Sequence, residues 1–311
     1  MFYSSQLGHK NGNLVIAASV GVIYVIVGLI YFLVFIHNVS THIQANGLIL
    51  RLENEALEKI NQYRDLVKES NIVTEQTFHK IIDNKNYTNL NSRNDGYIQE
   101  IDYNRLLRIA QSHNLIICFK KVVGQFVSTE TRIMTIYYEG EHEIDKEIQH
   151  EIHQCIWIGN KKTETQDFSF TIQKIVEIAL RALSPGINDP NTAIHCLKNL
   201  GLLLRDLADI DKGYVVLREE DEGGFIMYEA YDFEILLYDA YQQIILYGQS
   251  DASVMIVVFK SLRFSKVNAS SDNIKTINAY ATNLFEKLTN NRYDPLEYSK
   301  IRKEYNELIE L

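Results

Sequence analysis

Arg181-Ala182-Leu183-Ser184-Pro185-Gly186-Ile187-Asn188-Asp189-Pro190-Asn191-Thr192-Ala193 is the stretch on which the reading of this chain turns. It holds two of the three prolines in 311 residues and separates two amphipathic segments. Leu183 ends an apolar stripe, and Pro185 disfavours helix at Ser184 while supplying no N–H. Gly186 is placed to take the positive φ that a chain reversal usually requires. Asp189 then reads as an N-cap, with Pro190 at the first helical position, where a missing donor costs nothing. The stretch predicts a rigid corner between two helices. Arg181 and Asn188 are the two polar residues that this geometry does not demand.

On the N-terminal side of the corner, Phe168, Ile172, Ile175, Val176, Ala179 and Leu183 make an apolar stripe at helical spacing. Gln173, Glu177 and Arg181 make a second stripe, with Asp167 near the helix start. Together Asp167, Glu177, Arg181, Asn188 and Asp189 are the candidate polar site, a seam aimed at a ligand or partner. The competing reading is a solvated face with an i,i+4 Glu–Arg pair. On the other side Ala193, Cys196, Leu197, Leu200, Leu204 and Leu207 mark the second helix of an antiparallel pair. Helical periodicity continues over Asp232–Leu246, Ser250–Leu262, Asp272–Leu288 and Asp294–Leu308, each opening on Asp or Ser. Lys212–Phe225 fits an exposed connection or hairpin. Residues 161–311 therefore read as an all-α helical bundle, with Tyr228, Tyr231, Tyr238, Tyr241 and Tyr247 packing so that their hydroxyls reach a rim.

Residues 96–160 change character. Tyr97–Ile101, Leu115–Phe119, Gln125–Val127, Ile133–Tyr138 and Cys155–Ile158 are strand-like, and Asp102 and Asp145 open short helices. The order permits a βαββαβ plait. It also permits a barrel-sandwich-like module, because Gly96–Asp102 and Val123–Val127 resemble pieces of swinging-arm carriers; the lysine such carriers need in a tight hairpin is missing. Residues 83–95 are polar and aperiodic and read as a loop at a domain boundary.

Further back, Ile49, Leu52, Ala56, Ile60, Tyr63 and Val67 recur at spacings of 3, 4, 4, 3 and 4, so Asn38–Ser70 reads as a stalk helix. Its stripe suits packing on its own domain or a coiled-coil seam. Leu14 to Ile36 carries no charge. As a helix it is about 34 Å long, enough to cross a hydrocarbon core of roughly 30 Å. A signal peptide would have a shorter apolar region and a small-residue cleavage site, which Phe35-Ile36-His37-Asn38 lacks. Ala17, Gly21 and Gly28 fall near one face of this span and suit packing against a second copy or another membrane helix.

The expected organisation is an α+β chain: membrane anchor 1–37, stalk helix and polar linker 38–95, small α/β module 96–160 and bundle 161–311. With 31 basic and 40 acidic side chains the net charge is −9, which weighs against nucleic acid as a partner. Cys118, Cys155 and Cys196 form neither a disulfide framework nor a zinc pattern and point to a cytoplasmic soluble region. The lipid bilayer is the partner the composition names directly.

Chemistry is sparsely signalled. Glu147, His150 and His153 are weak metal ligands: Glu147 and His150 stand i,i+3, as in half of a carboxylate di-iron site, but the second half is missing. Ile144, Ile148 and Ile152 define the buried face there, which turns these polar residues to water. Phosphate-binding glycine loops and a Gly-x-Ser-x-Gly elbow are absent, Ser184 has no base near it in sequence, and no cofactor is implied.

Several pieces together resemble a bacterial predicted-membrane-protein family, domain of unknown function 2254. They are Phe35-Ile36-His37 with Ile43-Gln44, Gly96-Tyr97-Ile98-Gln99-x-Ile101-Asp102, Gly124-Gln-Phe126-Val127, Thr163-x-x-Gln166-Asp167, and Arg181 to Pro190 with Thr192-Ala193. The resemblance covers residues 14–265. It implies an integral membrane protein with a large soluble region and brings no reaction with it. Relatives usually carry more membrane spans, so the chain reads as one lacking the first of them. Lys162 and Ile245 stand where the family pattern leads one to expect arginines. The leading functional expectation is a membrane-anchored interaction or sensing module. The rivals are a subunit of a channel or transporter and a membrane-anchored hydrolase or metal enzyme.

Overall fold

The computed structural model describes residues 19–36, 45–140, 144–163, 165–218 and 223–311. The chain divides into two units, Met1–Leu48 and Ile49–Leu311. In the first, helix α1 (Ser19–Ile36) has a mean hydropathy of 2.7 and no buried residue, the character of a segment that crosses a membrane. A Cβ added at Gly21 or Gly28 would meet nothing within 4 Å. Ala17 lies outside the described residues, as do Leu14–Ala18 of the expected span and Asn38–Gln44 of the expected stalk.

The second unit begins within helix α2 (Ala45–Glu69). Ile49, Leu52, Ala56, Ile60 and Val67 are buried, so the stripe packs on the helix's own domain. Strand β1 (Asn71–Val73) and helix α3 (Glu75–Ile82) follow; Thr74 caps α3, which sinks Phe78 into the core. Neither short element carries enough residues to show a period.

Residues 83–95 are not a loop: Asn86–Asn91 is strand β2. It pairs antiparallel with β6 (Arg132–Tyr138) at the edge of a six-stranded sheet ordered β1, β8 (Tyr214–Leu217), β9 (Phe225–Glu229), β4 (Ile116–Phe119), β6, β2. Only Leu90 of the strand is buried, so its polar sequence follows from its edge position, and the backbone ladder carries the structure. Strand β4 (Ile116–Phe119) is buried at every residue, running antiparallel to β6 and parallel to β9 (Phe225–Glu229). Strand β8 (Tyr214–Leu217) completes a hairpin with β9, so the region expected to be all helix contributes two strands to this sheet.

The βαββαβ plait does not form, because β3 (Gly96–Ile101) has both edges occupied elsewhere. It lies between β5 (Phe126–Val127) and β7 (Ile156–Gly159) in a separate three-stranded sheet. A register shift between Ile98 and Glu100 lets Ile98 and Ile101 both bury. Helices α4 (Tyr103–Ser112) and α5 (Lys146–His153) start on Asp102 and Asp145 as their sequences predict.

The helical layer is α6 (Phe168–Leu183), α7 (Pro190–Arg205), α8 (Phe233–Gly248), α9 (Ala252–Lys266), α10 (Ser271–Leu288) and α11 (Pro295–Glu310). Helix α9 is central: Val254, Met255, Val258, Phe259 and Leu262 are buried, and it packs on α7, α10 and α11. Gly201 lets α7 approach it, because a Cβ there would sit 2.6 Å from the Ser261 carbonyl oxygen. Each fully buried large side chain in this layer contributes about 1.5–3 kcal/mol. Caps fall on Asp232, Asp251, Ser270 and Asp294; the second and third differ from the expected Ser250 and Asp272 by one and two residues.

Candidate functional site

The corner after α6 is built almost wholly by backbone. Ser184 N–H donates to the Arg181 carbonyl, Ile187 and Asn188 N–H donate to Ser184, and Asp189 N–H donates to Ala182. The Ser184 hydroxyl also donates to the Arg181 carbonyl at 2.6 Å, so it is a helix terminator. The positive φ falls at Asn188 (+50°), not at Gly186. Asparagine tolerates the left-handed region better than most residues, so the backbone conformation accounts for Asn188. Asp189 caps α7, accepting from Thr192 N–H at 3.2 Å and from the Thr192 hydroxyl at 2.6 Å. These bonds hold its carboxyl below the usual carboxylate range.

The other candidate residues do not join this corner. Asp167 lies at the opposite end of α6, about 24 Å away along the axis. It is fully buried and caps the helix, accepting from Phe170 N–H at 3.1 Å and the Ser169 hydroxyl at 2.5 Å. Its Oδ2 has no hydrogen-bond partner in the protein. That oxygen lies against Gly124, where an added Cβ would be 1.9 Å from it and φ is +86°. Burial pushes the Asp167 carboxyl above the usual range, against its bonds from Ser169 and Phe170 and the charge of Lys162. Glu177 is exposed and accepts from Gln173 at 3.3 Å; Arg181, one turn on, is exposed and makes no ion pair with it.

Glu147, on α5, is exposed. The two ring nitrogens of His150 lie 2.8 Å from an Arg93 guanidinium nitrogen and 2.9 Å from Gln154 Nε2. Burial, then the charges of Arg93 and His150, hold the His153 ring at about 4, so it is neutral in neutral solution. A guanidinium beside both histidines opposes a cation. His142 and Glu143 lie outside the described residues.

Two concavities flank the Asp167–Gly124 contact. The first is an open groove between α6, α8 and the β4–β5 loop, with Lys162, Ser169, Leu236 and Asp239 common to both of its parts. Lys162 donates to Gln173 at 3.3 Å, and burial pushes the Asp239 carboxyl up against the charge of Lys162. Glu177 and Gln243 line the same groove, whereas Ile245 is buried on another face of α8. Of the two positions where arginine was expected, one therefore belongs to the groove.

The second is an open pocket of about 200 Å³ between Lys59, Gln62, Tyr63 and Leu66 of α2 on one side and Tyr103, Val122, Val123, Gln166, Tyr228 and Tyr231 on the other. Tyr63 packs edge-on to Tyr231 at 5.3 Å, and Tyr103 lies 5.5 Å from Tyr228. Phe168, the first residue of α6, packs on both Tyr63 and Tyr231. Tyr63 Oη accepts from the Tyr231 N–H at 3.1 Å. Burial, opposed by that bond, pushes the Tyr63 phenol up to about 12, and burial raises Tyr103, Tyr228 and Tyr231 further. Among the described residues no group hydrogen-bonds the hydroxyls of Tyr103, Tyr228 or Tyr231, although Tyr228 is only 3 % exposed. Tyr63, Tyr103 and the Tyr228/Tyr231 pair come from three separate parts of the chain, α2, α4 and the end of β9 with the loop after it.

The family model for "Predicted membrane protein (DUF2254)" matches residues 3–263. The chain belongs to that family. Uncharacterised proteins of Mycobacterium tuberculosis and Mycobacterium bovis are each 25 % identical to it over 244 residues, covering 76 % of this chain and 45 % of theirs. The chain thus spans about half the length of the curated relatives it matches. No solved structure matches it.

Several of the residues through which this DUF2254 chain resembles its family join the three-stranded sheet to the segment leading into α6. Gln166 clamps Ile101, accepting from its N–H at 3.1 Å and donating to its carbonyl at 3.2 Å. Thr163 donates to the Gln99 carbonyl, Gln99 to the Lys161 carbonyl, and Gly124 N–H to the Ile98 carbonyl. Gly96, at φ +149°, lies against Gly159. These contacts fix the three-stranded sheet to the segment before α6, and of these residues Gln166 also lines the tyrosine pocket.

Proposed function

We propose that this membrane protein is a sensing module: a small molecule held in the tyrosine cavity alters the packing of α2, the helix that follows the membrane span. The observation carrying this reading is the makeup of the cavity. One wall is a face of α2, and the others are Tyr103 of α4, Val122 and Val123 of the β4–β5 loop, Gln166 ahead of α6, Tyr228 of β9 and Tyr231. Helix α2 begins nine residues after α1 ends, so a change in its seating lies close in sequence to the bilayer. Tyr63–Tyr231 and the Arg64–Asp209 ion pair, at 2.7 Å, are the specific links that hold α2 down. The three free, buried thiols support a reducing, cytoplasmic location for the soluble region.

A thermal-shift screen of small molecules tests this reading on the full chain in detergent. Wild type should be stabilised by compounds that do not stabilise the Tyr103→Phe/Tyr228→Phe double variant. A screen whose every stabilising compound acts equally on both proteins would defeat it.

A further inference from the structure

Resting on the cavity as a ligand site, we propose that its occupant is a small arene carboxylate, seated with its ring among Leu66, Val122, Val123 and the tyrosine rings and its carboxylate toward Tyr103, Tyr228 and Lys59. Three observations converge on that chemistry. The first is size and wall. The pocket is open to solvent and offers about 200 Å³, room for one substituted ring against Leu66, Val122, Val123 and the tyrosine rings.

The second is polarity. Tyr228, 3 % exposed, and Tyr103 line the cavity with hydroxyls that no protein group engages among the described residues. Because burial raises their ionisation far above neutrality, both phenols keep their protons and can donate to an oxygen acceptor. Gln166 does not compete for that acceptor, because its amide is consumed by Ile101.

The third is charge. Among the described residues lining the pocket, Lys59 is the one ionised side chain. Its ammonium lies 3.4 Å from Gln62 Oε1 and 3.9 Å from Glu58 Oε1, so it is oriented at the mouth by α2 itself. Asp167, the buried carboxylate behind Tyr231, bonds to Ser169 and Phe170 instead. A cation lining the same pocket disfavours a quaternary ammonium, which aromatic rings alone would welcome. It favours an anion, and charge-assisted bonds to a carboxylate are about twice as strong as neutral ones.

Titration calorimetry of the full chain in dodecyl maltoside with benzoate, toluene and tetramethylammonium tests this inference. Benzoate should bind, with Tyr228→Phe and Lys59→Met each weakening it about tenfold or more, as loss of a hydrogen bond to a charged group requires. Near-wild-type circular dichroism and melting of both variants separates loss of contact from loss of fold. Toluene or tetramethylammonium binding without benzoate would overturn the acid assignment while leaving the cavity as a ligand site. Silence from all three probes would overturn the assignment and count against the sensing reading as well. Benzoate binding that ignores both substitutions would place the ligand elsewhere and overturn it.

Discussion

The Tyr231 main-chain N–H donates to the Tyr63 phenol oxygen at 3.1 Å, joining the loop before α8 to the α2 helix. It is one of the few polar bonds between α2 and the rest of its domain. Replacing Tyr63 by Phe keeps the ring contacts with Phe168 and Tyr231 but removes the acceptor. The half-buried N–H then lacks a partner, at a cost of about 1–3 kcal/mol. Urea denaturation followed by circular dichroism should show that loss in the Tyr63→Phe variant.

Gly124 and Asp167 predict a sharper effect. A methyl at Gly124 would collide with Asp167 Oδ2 and would also sit at φ +86°. Gly124→Ala should therefore destabilise by more than about 2 kcal/mol, a magnitude confined to a few structural mechanisms. The thermal midpoint of the purified variant, read beside Gly186→Ala as a mild control, checks this.

The corner makes the opposite assignment at Asn188. Glycine accepts φ +50° freely, so Asn188→Gly should change stability by less than about 1 kcal/mol. A β-branched residue does not, and Asn188→Val should cost about 1–2 kcal/mol. Equal losses in the two variants would show that the side chain does something besides adopting this backbone conformation.

The caps of α6 and α7 are both aspartates, and they should respond to pH in opposite senses. Asp167 has its folded value raised by burial, so its contribution is fullest below the unfolded carboxylate value of about 3.9 and declines as pH rises through the folded value. Asp189 has its folded value lowered by Thr192, so its contribution is present above about 3.9 and is lost as pH falls through the folded value. Stability-against-pH curves of Asp167→Asn and Asp189→Asn, each subtracted from wild type, should slope in opposite directions.

Burial pushes the thiols of Cys118 and Cys155 up to about 11 and that of Cys196 to about 12. The thiolate is the reactive form, so none should react with a disulfide reagent in the native state at neutral pH. All three should react promptly once denaturant is added.

Much of the architecture was legible because it rests on local chemistry. The uncharged run ending at Ile36, the α2 stripe from Ile49 to Val67, and the aspartate caps each declare themselves within a few residues. The edge strand Asn86–Asn91 did not, because only Leu90 is buried and its remaining side chains look like a loop's. The split into two sheets was hidden because it depends on which edges of β3 are already paired. At the corner, sequence alone favoured Gly186 for the left-handed residue, whereas the bonds to the Ser184 carbonyl put that conformation at Asn188. The tyrosine cavity was least visible. Tyr63, Tyr103, Tyr228 and Tyr231 meet only through tertiary packing, and each taken alone reads as an ordinary half-buried aromatic residue.

Hydrogen exchange of the full chain in lipid nanodiscs tests the central claim most directly, comparing protein alone with protein saturated by a compound whose stabilising effect requires Tyr103 and Tyr228. Ligand-dependent slowing of exchange within residues 45–69, centred on the turns carrying Lys59 to Leu66, is the predicted result. Exchange across that helix that stays the same while the ligand is bound would contradict the account.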